Sequence, residues 1–132
     1  MARDHEALFR FLAERTTMPF AWGRARNDCV AFVLEAIVAQ IRRDMLPGVT
    51  WSSEAGAARV IARLGGLEHA LDQRLRPIAP ALAARGDVAG VADERFGLSV
   101  GVVEGLTIAG PGARGLKRLP RALAVRAWSI DG

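Results

Sequence analysis

One segment, NDCVAFVLEAIVAQIRRD over residues 27–44, constrains the fold more than any other part of the chain. Apolar residues recur in it at helical spacing, so that one stripe forms and is widened on both sides: Val30, Phe32, Val33, Leu34, Ile37, Val38 and Ile41. A helix that is apolar on most sides has to be enclosed by protein. The segment therefore predicts a helix buried in the centre of the domain.

Shorter helices are predicted on either side of the central one. Leu8, Phe9 and Leu12 follow Asp4, a suitable N-cap, and indicate an amphipathic helix over residues 4–15. Either Ser52 or Ser53 can cap a third helix that ends at the glycine pair 65–66, and leucines then mark a fourth helix: Leu67, Leu71 and Leu75. Residues 76–87 contain two prolines and predict an irregular crossing with at most one helical turn.

The period of the pattern changes at Asp87. Four later stretches are β-branched or alternating and are bounded by glycine, aspartate or proline: DVAGVAD, GLSVGVVEG, LTIAG and RALAVRAWSI. Helices first and strands second predict an α+β fold with a mainly antiparallel sheet. At 132 residues the chain fits one domain, with a helical part over 1–85 and a sheet part over 86–132.

The charge distribution argues against a nucleic-acid-binding face. The net charge of +4 comes almost entirely from arginines, and these are scattered along the chain with no run longer than Arg42-Arg43. Nucleic-acid binders usually concentrate basic residues on one stripe. A single cysteine excludes an intramolecular disulfide, and no apolar run approaches the roughly 20 residues of a membrane span. We expect no membrane anchor and no signal peptide.

Cys29 is the candidate with the most chemical meaning. It lies at the start of the buried helix, directly after Asn27 and Asp28, whose side chains are good caps. Unpaired amides and the dipole at a helix N-terminus stabilise a thiolate, which lowers the thiol pKa and suits a nucleophile. Two arguments oppose this interpretation. Cysteine is also a common small apolar residue in a core, and the carboxylate of Asp28 disfavours a thiolate by like charge.

The residues around Cys29 resemble a known motif. PFAWGRARNDCVAFV is similar to the nucleophile motif of NlpC-type, papain-like cell-wall cysteine peptidases, in which an aspartate-cysteine pair opens the central helix. ARGDVAGV resembles the entry to that family's first strand, and LSVGVVEG resembles its second strand. The resemblance covers roughly residues 19–130 and implies a papain-like fold, with Cys29 at the nucleophile position.

The resemblance fails at the catalytic base. The family's histidine begins the second strand, and the matching position here is Ser99, whose hydroxyl cannot act as a general base near neutral pH. Only two histidines are available, His5 on the first helix and His69 beside Asp72, and neither is well placed to reach Cys29. No metal or cofactor site is expected, because the histidines, cysteine and carboxylates show no ligand spacing.

The three tryptophans complete the candidate residues. We expect Trp22 to pack across the N-terminus of the central helix and Trp128 to lie in the core. Trp51, in the loop before the third helix, is the one we expect to be exposed. Trp22, Asp28 and Trp51 are therefore the candidate binding residues, with Trp51 suited to a protein or glycan contact.

The resemblance extends to short phage and prophage tail-module proteins that share the tryptophan-glycine and asparagine-aspartate-cysteine motif and lack the histidine. It implies an accessory structural protein of the tail tip or hub, made in the bacterial cytoplasm and carried in the virion, with other tail proteins as partners. Two alternatives stay open. One is an active cysteine amidase or endopeptidase that cleaves peptidoglycan peptides, and the other is a module that holds a peptide without cutting it.

Overall fold

The computed structural model describes residues 2–131, and within them it confirms the predicted α+β class. The four helices are α1 (His5–Arg15), α2 (Cys29–Ile41), α3 (Glu54–Arg63) and α4 (Leu67–Arg74). The strands are β1 (Arg76–Ile78), β2 (Val88–Asp93), β3 (Gly97–Val103), β4 (Thr107–Gly112), β5 (Gly115–Pro120) and β6 (Ala124–Ser129). They form one antiparallel sheet in the order β1-β6-β2-β3-β4-β5.

The helices α1 and α3 begin directly after capping residues that the sequence analysis named. The Asp4 carboxylate accepts a hydrogen bond from the Ala7 amide at 2.8 Å, and α1 follows. Ser53, one of the two serines considered, accepts from the Gly56 amide at 3.0 Å and starts α3. Satisfying these otherwise unpaired amides fixes the first turn of each helix.

The central helix α2 packs on one face of the sheet. Phe32, Ala36 and Ile37 are almost completely buried, and from the sheet Val102 and Trp128 belong to the same core. This confirms the predicted buried helix within residues 27–44, with the narrower bounds Cys29–Ile41. The opposite face of the sheet has a smaller core that includes Ala83, from the segment between β1 and β2: Ala83, Ala89, Val103, Ile108 and Ala127.

The buried stripe of α1 differs from the one predicted. Phe9 was expected to face inward but is 71% exposed, whereas Phe11 is buried and its ring lies 5.0 Å from that of Phe32. Leu8, Phe11 and Leu12 are spaced i, i+3, i+4 and lie on one face, from which Phe9 is displaced by about 100°.

Two strands were not predicted, and they form the two edges of the sheet. β1 is only three residues long and contains Pro77, and β5 carries adjacent charges at Lys117 and Arg118. The outer side of β5 is partly covered, because the Leu116 amide donates to the Thr16 carbonyl at the end of α1 at 3.1 Å. Both are edge strands without the β-branched, alternating pattern from which inner strands are predicted.

Candidate functional site

Cys29 opens α2 and faces a broad groove of about 770 Å³. The groove lies between the loop before α2, the β2–β3 turn and the β4–β5 hairpin. Its lining combines aromatic, charged and small residues, namely Phe20, Trp22, Cys29, Ala92, Asp93, Glu94, Arg95, Phe96, Leu98, Ser99, Pro111 and Lys117. The groove is open, so neither Trp22 nor Trp51 closes it.

Ser99 lies in β3 opposite Val91 of β2 and is half-buried. Ser99 and Cys29 both line the groove, and both also line a narrow cleft of about 30 Å³ beside it. The structure thus brings together the two residues that the sequence placed at the nucleophile and base positions.

A short ladder between β3 and β4 opens the sheet next to Cys29. The two strands pair only at Val102–Ala109 and Val103–Ile108. If the register continued, Pro111 would face Val100, and proline has no amide hydrogen to donate. The backbone of Val100 is close enough to the Cys29 thiol to favour its ionised form.

The surroundings of Cys29 favour the neutral thiol over the thiolate. Burial raises its pKa above the ordinary value, and the nearby carboxylates of Asp28 and Asp93 act in the same direction. Hydrogen bonds from the backbone of Val100 and Val30 oppose the shift but do not outweigh it. The lowered pKa predicted from the helix N-terminus is therefore wrong. A thiol in these surroundings stays protonated at neutral pH.

The negative charge that accepts the amide hydrogen bond at the start of α2 is the Asp28 carboxylate, not a Cys29 thiolate. Its side chain is buried and accepts hydrogen bonds from the Ala31 amide at 2.8 Å, the Gly23 amide at 3.0 Å and the Trp51 indole at 2.7 Å. Asp28 is absent from the groove lining. The carboxylate joins the loop before α2, the helix itself and the loop before α3.

The predicted exposure of Trp51 is also wrong. Its side chain is only 7% exposed and packs with Ala31, Leu34 and Val60, while its indole nitrogen bonds to Asp28. Burial of Trp51 is favourable because its ring adds to the apolar core and its indole N–H donates to the Asp28 carboxylate. Trp51 therefore supports the site from behind and does not present a face to the groove.

Asn27 supports the wall of the groove, whereas the sequence analysis considered it only as a helix-capping residue. Its amide donates to the carbonyls of Met18 and Pro19 at 3.1 and 3.2 Å, and its side-chain oxygen accepts from Arg15 at 2.8 Å. Asn27 thereby fastens residues 18–21 to α1 and α2. The sequence signal for this role was the position of Asn27 next to Asp28. Both polar side chains are buried in the structure.

Trp22 is the candidate binding residue that the structure does place in the groove. It is half-buried, and its ring stands edge-on to Phe20 at 4.9 Å and to Phe96 at 5.8 Å. The Arg95 guanidinium lies over the same ring at 5.7 Å. Phe20, Arg95 and Phe96 were missed, because each stands in a loop or turn without a periodic pattern.

The groove contains no imidazole among the residues described. His5 and His69 are exposed, and neither belongs to its lining. Its ionisable side chains besides Cys29 are two carboxylates and two bases: Asp93, Glu94, Arg95 and Lys117. Across residues 2–131 no three histidine, cysteine, aspartate or glutamate side chains are grouped as a metal site, and no helix is long and apolar enough to cross a membrane.

Trp128 lies where it was predicted, in the core under α2. It is fully buried, and its indole donates to Asp72 at 2.8 Å while Arg126 lies 4.9 Å over its ring. The bond from Trp128 is the largest of several influences that lower the pKa of Asp72. Trp128 is thus a structural residue and has no access to the groove.

Comparison with known proteins gives a match over almost the whole chain. A family model described as a domain of unknown function, DUF6950, matches residues 1–130. No curated protein matches the chain in sequence.

Proposed function

The chain belongs to the DUF6950 family, a domain of unknown function, and we propose that it is a non-catalytic structural protein with a papain-like fold of NlpC type. In this proposal it is an accessory protein of the tail tip or hub of a phage, prophage or gene-transfer particle. It is made in the bacterial cytoplasm, is carried in the virion and binds neighbouring tail proteins.

The arrangement of α2 and the sheet supports the papain-like part of the proposal. A central helix that begins with Cys29 packs against an antiparallel sheet, and the second of the long strands, β3, brings Ser99 to the same groove. These are the places that the resemblance assigns to the nucleophile and the base. The aspartate before the cysteine, Asp28, holds the loop and helix in position.

The non-catalytic part of the proposal rests on the protonation of the Cys29 thiol. A cysteine nucleophile needs a lowered pKa or an adjacent base, whereas burial raises the pKa of Cys29 and Ser99 supplies no base. The buried Asp28 and the groove carboxylate Asp93 both add negative charge near the sulfur. Each of these features disfavours the thiolate on which peptide cleavage depends.

One observation favours a second candidate, a cysteine amidase or endopeptidase that acts on peptidoglycan peptides. The groove remains open beside Cys29 and has an aromatic wall of Phe20, Trp22 and Phe96. A groove of this size fits an extended peptide, which such a protein could either cut or hold.

Particles that carry defined variants separate the two candidates. We expect particles with Cys29→Ala to keep wild-type infectivity or gene transfer, whereas particles that lack the protein lose it. The purified wild-type protein should also release no more product from peptidoglycan peptides than Cys29→Ala does. Loss of function in the Cys29→Ala particles, together with turnover by the wild-type protein, would establish the peptidase instead.

A further inference from the structure

A pocket of about 290 Å³ lies between α1 and the sheet, apart from the groove that Cys29 faces. Helix α1 supplies one side of its lining. The other side contains Arg85 from the segment before β2, Glu104 from the β3–β4 turn and Arg118 from β5. The two linings have no residue in common, so this pocket, which we call the α1 pocket, is a separate concave surface.

The helix side of the α1 pocket is apolar. Leu8, Phe9, Leu12 and Ala13 form two adjacent rows in the lining, because residues four apart are neighbours along a helix. Leu8 and Leu12 are buried, whereas Phe9 and Ala13 are exposed. A single exposed aromatic residue is ordinary on a protein surface. Phe9 differs because it shares a concave surface with buried leucines, where a ligand could cover much of the about 150–250 Å² that an aromatic side chain can bury.

The sheet side of the α1 pocket has an excess of positive charge. Arg118 is paired with Glu104 at 2.6 Å, and the Thr107 hydroxyl donates to the same carboxylate at 2.9 Å. Arg85 has no carboxylate partner in the part of the chain that the structure describes. Two guanidiniums therefore share the lining with one carboxylate, and Arg85 remains available to an anion.

The two sides together define a chemical class of ligand. An apolar body fits the helix side, and one negative charge matches Arg85, because a guanidinium binds a planar carboxylate through two parallel hydrogen bonds. A doubly charged group such as a phosphate monoester would bring a second negative charge close to Glu104, which disfavours it. The volume is at the lower end of the range for ligand pockets, so the ligand is small or is the end of a longer chain.

We infer that the α1 pocket binds an apolar group that ends in a carboxylate, with the carboxylate on Arg85 and the apolar part against Phe9. This chemistry is found in free aliphatic or aromatic acids and at the end of a polypeptide chain whose last residue is apolar. The inference goes beyond the proposed function and does not depend on it, because the α1 pocket is separate from the Cys29 groove.

Titration of the isotope-labelled protein, followed by NMR, tests the role of the carboxylate. The probe is N-acetylphenylalanine, and its amide, N-acetylphenylalaninamide, is the matched neutral probe. We expect the acid to shift the backbone amides of α1 and to bind at least about tenfold more tightly than the amide, since hydrogen bonds between charged groups are the strong ones. Arg85→Gln should remove this preference, whereas Arg63→Gln, at an exposed position of α3 outside the pocket, should keep it.

A second pair of variants tests the apolar side. Phe9→Ser should weaken binding of the acid and of the amide by the same factor, whereas Leu82→Ser, at an exposed position outside the pocket, should change neither. All four substitutions are at exposed positions, and the NMR spectrum of each free variant shows whether its fold is kept.

Phenylpropionate distinguishes the two sources of the ligand. If it binds as tightly as N-acetylphenylalanine or more tightly, the α1 pocket takes free acids, and if it binds more weakly, the pocket takes chain ends, which also present a peptide group. The inference would be overturned if the acid did not bind, if acid and amide bound equally, if Arg85→Gln kept the preference, or if the shifts lay away from α1. Each of these results would leave the proposed function standing, because that proposal is tested by particles with Cys29→Ala.

Discussion

The indole of Trp51 donates a 2.7 Å hydrogen bond to the carboxylate of Asp28, and both side chains are buried behind the groove. Asp28 in turn caps the helix that Cys29 opens and holds the loop that carries Trp22. The groove therefore depends on a bond between two residues that do not line it.

Removing that bond should destabilise the fold. Trp51→Phe keeps most of the ring but leaves Asp28 without one donor, and hydrogen bonds to charged groups contribute about 1.5–3 kcal/mol. We expect the free energy of unfolding, measured by urea denaturation, to fall by this amount. Trp22→Phe is the control, because the Trp22 indole stands in the groove wall beside Phe20, Phe96 and Arg95 and makes none of the hydrogen bonds to Asp28. Equal losses in the two variants would contradict the role given to the Asp28 bond.

The raised pKa of Cys29 predicts slow alkylation at neutral pH. Burial is the main cause, so the rate with iodoacetamide should rise with pH and level off only above the ordinary thiol range. The unfolded protein should react faster at pH 7. An inflection below the ordinary value would show an activated thiol and would count against the non-catalytic proposal.

The same shift makes stability depend on pH in the alkaline range. Since the folded-state pKa lies above the unfolded value, the unfolded chain ionises first as pH rises. The stability contributed by the neutral thiol is complete below the unfolded value and is lost as pH rises through the folded one. The free energy of unfolding should fall less steeply above about pH 8.5 in Cys29→Ala than in the wild type, when unfolding is followed by circular dichroism.

A histidine at position 99 should restore part of the missing chemistry. Ser99 and Cys29 line the same narrow cleft, so an imidazolium in Ser99→His favours the thiolate and moves the alkylation inflection to lower pH. Ser99→Gln fills similar space without a positive charge and should leave the inflection unchanged. If both variants shifted it equally, steric opening of the cleft would be the cause, and the correspondence between Ser99 and the base position would lose support.

Gly86 occupies a place that no other residue fits. Its φ is +92°, and an added Cβ would overlap the side-chain oxygen of Gln40, a residue that is 2% exposed. Gly86→Ala should cost roughly 2–4 kcal/mol of stability from overlap and backbone strain together. In a Gln40→Ala background only the strain of about 1–2 kcal/mol remains. Equal costs in both backgrounds, by denaturant titration, would show that Gln40 is not the obstacle.

The sequence predicted the helices well because their signals are local. Asp4, Asp28 and Ser53 cap the helices that they precede, and the apolar stripe of residues 27–44 becomes the centre of the core. The inner strands were predicted from their β-branched or alternating residues. The edge strands β1 and β5 lack this pattern and contain Pro77 and the charged pair Lys117 and Arg118.

The site was harder to predict because its properties arise from contacts between distant segments. Cys29 and Ser99 were placed in one groove by resemblance, but the thiol pKa depends on burial, which no local pattern encodes. Trp51 was expected to be exposed because it lies in the loop before the third helix, whereas its indole bonds to Asp28, 23 residues earlier. Phe20 and Phe96 become neighbours of Trp22 only through the tertiary fold.

The two edges of the sheet bear on how the protein behaves at high local concentration. β1 is short and contains Pro77, and the Leu116 amide of β5 is already bonded to Thr16. Neither edge offers a long row of free amides and carbonyls to which another chain could add a strand. Strand addition at either edge is therefore disfavoured when many copies are brought close together.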